Sequence, residues 1–183
     1  VLAGSFSRIG YEVVTPASGD LDRELERLAP GCDAGLVVAP DHLLFGLTRI
    51  LEEHTRNLGC SSLVAAVCGN KVMTGRILGK HGVPVPGSPS TGRRVVKPVH
   101  GCGSSGVRIT DEPPGEDEFA ERYVEGEHLS VSLVCSRNTG EACLYYTGKP
   151  PLPLALNRQL IEVKNGKFSY LGGETPVEHP RSG

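Results

Sequence analysis

Short apolar runs alternate with helically spaced leucines over the first third of the chain, and the alternation predicts a small α/β unit. Tyr11–Thr15 and Gly35–Ala39 are β-branched or apolar runs bounded by Pro and Gly, which predicts strands, whereas Leu21, Leu25 and Leu28 recur at helical spacing. Between Asp41 and His54, Leu43, Leu44, Leu47, Ile50 and Leu51 form one helical face, with Asp41 as the expected N-cap. The apolar run Leu63–Val67 predicts a further strand. This order of strands and helices argues for parallel pairing. The unit, residues 1–68, reads as incomplete.

From Asn70 the pattern changes. Asn70 is placed to cap a helix carrying Val72, Met73, Ile77 and Leu78, which stops at His81-Gly82 before Val83-Pro84-Val85-Pro86. Strands dominate afterwards: Arg94–Pro98, Val107–Thr110, His128–Ser136, Glu141–Thr147, Gln159–Lys164 and Lys167–Leu171. Asn165-Gly166 between two alternating runs is the strongest hairpin signal in the chain. Residues 69–183 therefore read as an α+β region with antiparallel strands, following the parallel α/β unit.

Composition narrows the partners. The 183 residues carry 19 Lys and Arg against 21 Asp and Glu, a net charge of −2, so neither a polybasic nucleic-acid face nor an electrostatic membrane anchor is indicated. No apolar run reaches the ~18 residues of a membrane span. With 24 Gly and 14 Pro, loops and turns are frequent. The six cysteines, Cys32, Cys60, Cys68, Cys102, Cys135 and Cys143, form no CxxC pair or zinc-ligand array and read as buried or idle thiols of a soluble, cytoplasmic protein. The abrupt start at Val1 and the end at Gly183 lead us to expect that part of the polypeptide is missing.

The chemistry concentrates between Asn70 and Ser136. Gly101-Cys102-Gly103-Ser104-Ser105-Gly106 satisfies GxGxxG, whose glycines let backbone N–H groups approach phosphate oxygens. A dinucleotide fold needs a helix after this loop, yet Val107-Arg108-Ile109-Thr110 alternates as a strand. What remains is a glycine-rich turn between strands, either an ordinary hairpin or a flap over a polyphosphate. Lys97, near the end of the strand Val95-Val96-Lys97-Pro98, could aim an ammonium at anionic oxygens, and Lys71 opens the capped helix. Gly75–His81 is one residue short of a Walker A loop and lacks its Ser or Thr, and a kinase would place its glycine loop before the lysine.

Four pieces in order, namely Asn70-Lys71, His81–Pro86, Val95–Pro98 with its glycine loop, and Glu121-Arg122-Tyr123-Val124-Glu125-Gly126-Glu127, resemble the ATP-grasp superfamily of carboxylate-amine ligases. The resemblance implies an ATP-grasp fold preceded by a parallel α/β unit. It makes Lys71 and Lys97 phosphate-binding lysines, with Lys97 also catalytic, and makes Gly101, Gly103, Ser104, Ser105 and Gly106 the flap. The adenine hinge then falls on Glu121, Arg122, Tyr123 and Val124, and Glu127 faces the ribose hydroxyls. Without that context, Glu121 and Glu127 read as exposed strand charges. The implied reaction is ATP-dependent, ADP-forming ligation of a small carboxylate to an amine through an acyl phosphate; a nucleotide-binding sensor or scaffold without ligase activity is the alternative. Magnesium or manganese is implied too, but after Leu171 the chain offers no acidic strand residue and no Glu-x-Asn pair, so its ligands are expected outside this chain.

Arg158, in Leu156-Asn157-Arg158-Gln159, is a second catalytic candidate, facing γ-phosphate or a substrate carboxylate; a structural salt bridge is the other reading. This segment and Gly172-Gly173-Glu174-Thr175-Pro176 resemble the archaeal branch of the superfamily that includes tyramine-glutamate ligase. A homodimer is compatible with the resemblance.

Overall fold

The structure, a computed structural model, describes residues 2–17, 19–89, 93–135, 137–140, 143–146 and 151–178. It divides into two units, Val1–Val85 with Pro98–Cys102, and Pro86–Lys97 with Gly103–Gly183.

The first unit runs α1 (Leu2–Arg8), α2 (Leu21–Leu28), a 3-10 turn (Ala29–Gly31), β1 (Ala34–Gly35), α3 (Asp41–His54), β2 (Arg56–Asn57), α4 (Ser62–Gly69) and α5 (Lys71–Lys80). Leu47, Ile50 and Leu51 follow one another at i, i+3 and i+4 on α3 and are buried with Thr48, Ala29 and Ala65. Each such leucine or isoleucine contributes about 1.5–3 kcal/mol relative to exposure. β1 passes over this face at Gly35, where any Cβ would land on the Leu51 side chain, so glycine is the residue that permits the approach. β1 and β2 pair in parallel, as the order of elements predicts, with Ala34 opposite Arg56 and Gly35 opposite Asn57.

Four local expectations are corrected in this unit. Tyr11–Thr15 is not paired as a strand, and of Gly35–Ala39 only Gly35 is in β1. Leu63–Val67 is helical: the Ser61 hydroxyl accepts the Val64 N–H at 3.3 Å and starts α4, and a five-residue apolar run carries no period of its own to oppose that cap. Asp41 is the first residue of α3 rather than its cap; extended Pro40 occupies the cap position, and its carbonyl accepts from Leu43 and Leu44 at 2.9 and 3.0 Å. The acidic side chain still lies in the first turn, where the helix dipole favours it.

The second unit contains β3 (Arg94–Pro98, through Lys97), β4 (Arg108–Ile109), β5 (Glu118–Arg122), β6 (Leu129–Val134), β7 (Arg137–Gly140), β8 (Cys143–Tyr146), β9 (Leu152–Lys164) and β10 (Lys167–Glu174). Six strands form one sheet in the order β5-β3-β4-β10-β9-β6, and β7 with β8 makes a separate antiparallel ribbon. The β3–β4, β4–β10, β10–β9 and β9–β6 pairs are antiparallel. At the β9–β10 turn Asn165 and Gly166 have φ of 51° and 75°, the pair of left-handed residues that a twisted two-residue hairpin requires. β9 is longer than its pattern predicts and begins in the proline-rich stretch. Pro153 falls where the register with β6 shifts between Ser132 and Leu133, an irregularity that tolerates a residue without an N–H. Val96 is fully buried at the middle of β3. No helix among the described residues is long and apolar enough to cross a membrane.

Candidate functional site

Strand alternation sorts the chemistry of the second unit onto two faces. Lys97 lies beside Phe119 and Glu121, which are two residues apart on β5 and so share a face. The Lys97 ammonium pairs with the Glu121 carboxylate and stands 5.2 Å from the centre of the Phe119 ring. Both charged side chains are mostly covered, at 24% and 19% exposure, so the ammonium is held in one direction instead of sweeping through solvent. On the opposite face Val96 and Arg108 are register partners. Arg108 reaches across to Glu118, donating from Nη1 and Nη2 to the two carboxylate oxygens at 2.5 and 2.9 Å. This fork and the Gly115 N–H hold the Glu118 carboxyl down at about 2, well below the ordinary carboxylate range.

The segment read as the hinge, Glu121 to Val124, begins within β5. Arg122 N–H donates to Gly87 O and Tyr123 N–H to Arg93 O, both at 2.9 Å, and the Arg93 guanidinium lies 4.9 Å from the Tyr123 ring centre. These two donors are therefore already engaged within the unit. Val124, next in the chain, is exposed, as is Glu127 in the loop before β6.

The glycine loop opens directly after β3. Gly101, Gly103 and Gly106 have φ of 103°, 66° and 73°, and Ser104 joins them at 63°. The glycines of the motif are thus used for conformation, and apart from the glycine and its two chain neighbours no atom lies within 4 Å of where a Cβ would stand at Gly101 or Gly103. No helix follows: Val107 N–H bonds Ser104 O at 3.2 Å and the chain enters β4, as expected. Gly101 belongs to the first unit and Gly103–Gly106 to the second.

In the first unit, Asn70 Oδ1 accepts the Met73 N–H at 2.9 Å, which is the cap read from the sequence, and places Lys71 at the first position of α5. Lys71 N–H donates to Val99 O at 3.0 Å, Lys71 Nζ donates to Gly101 O, and His100 Nδ1 lies 3.0 Å from Gly69 O. Gly82, φ 74°, ends the helix after His81. Lys71 lies in the first unit and Lys97 in the second.

Arg158 on β9 stands opposite Glu174 on β10 and donates to it at 3.0 Å, which is the structural reading of that residue. The five cysteines with described side chains are unpaired, and Cys60, Cys68, Cys102 and Cys135 are exposed. Among the described residues no three His, Cys, Asp or Glu side chains cluster as a metal site. The first unit also holds an apolar cleft of about 270 Å³ just past the carboxyl ends of β1 and β2, lined by Leu36, Val37, Gly59 and Cys60 with Leu44 and Thr48. The Arg108–Glu118 fork and the position of Phe119 under Lys97 were not read from the sequence. Period-two alternation of Glu118-Phe119-Ala120-Glu121, once assigned to a strand, would have separated Glu118 from Glu121.

A largely antiparallel sheet whose glycine-rich loop joins two adjacent strands, with a covered lysine at the loop's entry, is neither a P-loop nor a dinucleotide fold. The comparisons make this specific. The ATP-grasp domain model matches residues 68–183 and the pre ATP-grasp 3 domain model residues 8–65, and the chain belongs to the ATP-grasp family. It is 33% identical over 165 residues to the tyramine–L-glutamate ligase of Methanocaldococcus jannaschii, covering 87% of this chain and 46% of that protein. The chain thus spans about half the length of the curated relatives it matches. A crystal structure from Archaeoglobus fulgidus, assigned to the ATP-grasp superfamily, superposes with a TM-score of 0.68 at 28% identity, covering 97% of this chain and 52% of that one. The ATP complex of D-alanine–D-alanine ligase from Bacillus anthracis shares the fold, with a TM-score of 0.52 at 16% identity over 92% of this chain and 76% of that one.

Proposed function

We propose that the protein of which this chain is part is an ATP-dependent, ADP-forming carboxylate-amine ligase. The observation that supports this most is Lys97: a covered ammonium on the strand that enters the glycine loop, with the hinge carboxylate Glu121 at its side. In this reading Lys97 and Lys71 neutralise phosphate oxygens, and Gly101, Gly103, Ser104, Ser105 and Gly106 supply backbone N–H groups. Glu121 to Val124 meet the adenine edge, and Glu127 accepts from the ribose hydroxyls. The open space beside Gly101 and Gly103 leaves room for a phosphate to approach the backbone.

A carboxylate oxygen attacks the γ-phosphorus and the bond to the β-bridging oxygen breaks, releasing ADP. The amine lone pair then attacks the acyl carbon, phosphate leaves with the C–O bonding electrons, and the nitrogen loses a proton to solvent. No protein nucleophile is needed; the side chains act by position and charge. The donor set for Mg²⁺ is not assembled from the described residues, and no step is derived through the metal. Arg158 is bound to Glu174, and a role on substrate would require it to leave that partner. The names of the curated relatives make tyramine and L-glutamate the first substrates to try. A cytoplasmic location, where ATP is abundant, fits such chemistry.

The test is to incubate the full-length protein with ATP, Mg²⁺, L-glutamate and tyramine, beside a panel of other carboxylates and amines, and to follow ADP together with the amide product. ADP formation coupled to product, lost in Lys97→Ala, is expected. Release of AMP, or unchanged turnover in Lys97→Ala, overturns the reading. ATP binding without any product from the panel would favour a sensor or scaffold.

A further inference from the structure

Resting on the nucleotide-binding reading above, we infer that Arg108, braced by Glu118, is a positioning residue that anchors the C-terminal end of the glycine loop. The Arg108 Nη1 that bonds Glu118 also lies 3.4 Å from Gly106 O, the last carbonyl of the loop. Glu118 is braced in turn, since its Oε2 accepts the Gly115 N–H at 2.9 Å and its own N–H donates to Gly115 O at 3.2 Å. From Val107 onward the chain is held in the sheet: Phe168 N–H donates to Val107 O at 3.1 Å and Ile109 N–H to Gly166 O at 2.6 Å. The other end of the loop is tied within the first unit, where Lys71 Nζ donates to Gly101 O. Between these ties lie Cys102–Ser105, with Gly103 and Ser104 in the left-handed region.

This arrangement assigns Arg108 a role different from that of Lys97. Its Nη1 and Nη2 are held by the Glu118 carboxylate, with side-chain exposures of 28% and 22% for the pair, and it lies on the face of the sheet opposite Lys97, so it acts as a strut from β5 to the loop end rather than as a phosphate ligand. A fixed hinge at Gly106 lets Gly103 and Ser104 adjust over the phosphates while the direction from which Ser105 and Gly106 present their N–H groups is set by the sheet. Loosening either half of the strut should cost nucleotide affinity through the same device.

The experiment is a double-mutant cycle on the full-length protein with Arg108→Lys, Glu118→Gln and the pair, read by ATP titration and by amide hydrogen exchange. Without nucleotide, exchange at Val107, whose N–H bonds Ser104 O, should rise about tenfold in each single variant while β9 and β10 keep their rates. ATP should bind about tenfold more weakly in each, and the double variant should be no weaker than either, because the two changes break one interaction. Unchanged loop exchange overturns the inference, as does faster exchange throughout β9 and β10, which would make the pair a holder of the sheet. Additive losses of affinity, or a large loss confined to Arg108→Lys, also overturn it by showing Arg108 on the phosphate itself. If the wild type does not bind ATP, the nucleotide reading fails, and the nucleotide-free exchange still decides whether the anchor exists.

Discussion

Gly166→Ala tests the packing that carries β4 onto the edge of the β9–β10 hairpin. Gly166 has φ of +75°, and a Cβ built there would stand 2.8 Å from the Ile109 carbonyl oxygen, a backbone atom that cannot rotate away. The left-handed conformation costs an alanine about 1–2 kcal/mol. Relieving the contact moves Gly166 from Ile109, whose N–H bonds Gly166 O at 2.6 Å, and weakening that bond costs about 1 kcal/mol more. We expect about 2–3 kcal/mol in all, seen as roughly 30- to 150-fold faster amide exchange at Ile109 and along β10, since each tenfold corresponds to about 1.4 kcal/mol. Asn165→Ala is the matched control. Asn165 is also left-handed, at φ 51°, but already carries a Cβ, so it loses only the local preference of Asn for that region, about 1 kcal/mol or less. Equal effects of the two substitutions would refute the contact with Ile109 and leave only turn strain.

Three further outcomes follow from the same geometry. Because Arg108 holds the Glu118 carboxyl at about 2 against an ordinary 4.5, the pair should stabilise the fold above about pH 4.5 and cease to do so as pH falls toward 2. Acid unfolding of wild type and Glu118→Gln should therefore differ at neutral pH and converge near pH 2; a constant difference would refute the ion pair as the cause. Asn70→Ala should cost about 1 kcal/mol by removing the cap at Met73 N–H, read as faster exchange in the first turn of α5. Gly35→Ala should cost about 1–3 kcal/mol by driving a methyl into Leu51, and Leu51→Ala should partly rescue it in the double variant; full additivity would show that the two do not touch.

The elements whose cause lies within a few residues were legible from the chain alone. Asn70 caps α5, Gly82 ends it, Asn165-Gly166 turns β9 into β10, and the glycine loop runs into a strand. In each case a side chain or a left-handed φ acts on its immediate neighbours, and residue type carries the information. The ordered motifs from Asn70 to Glu127 likewise identified the family that the domain models match.

Leu63–Val67 marks the limit of that local reading: it is as apolar as a buried strand, and the Ser61 cap beside it decides for a helix. Tertiary structure decides what no local pattern carries. Strand neighbours are not sequential: β5 lies beside β3 while β10 lies beside β4. That order brings Lys97 to Glu121 and Arg108 to Glu118, on opposite faces of one sheet. A strand sequence states which residues share a face, because side chains alternate, but not which strand lies beside it. The partner of a charge is therefore fixed only when the sheet closes its order of strands.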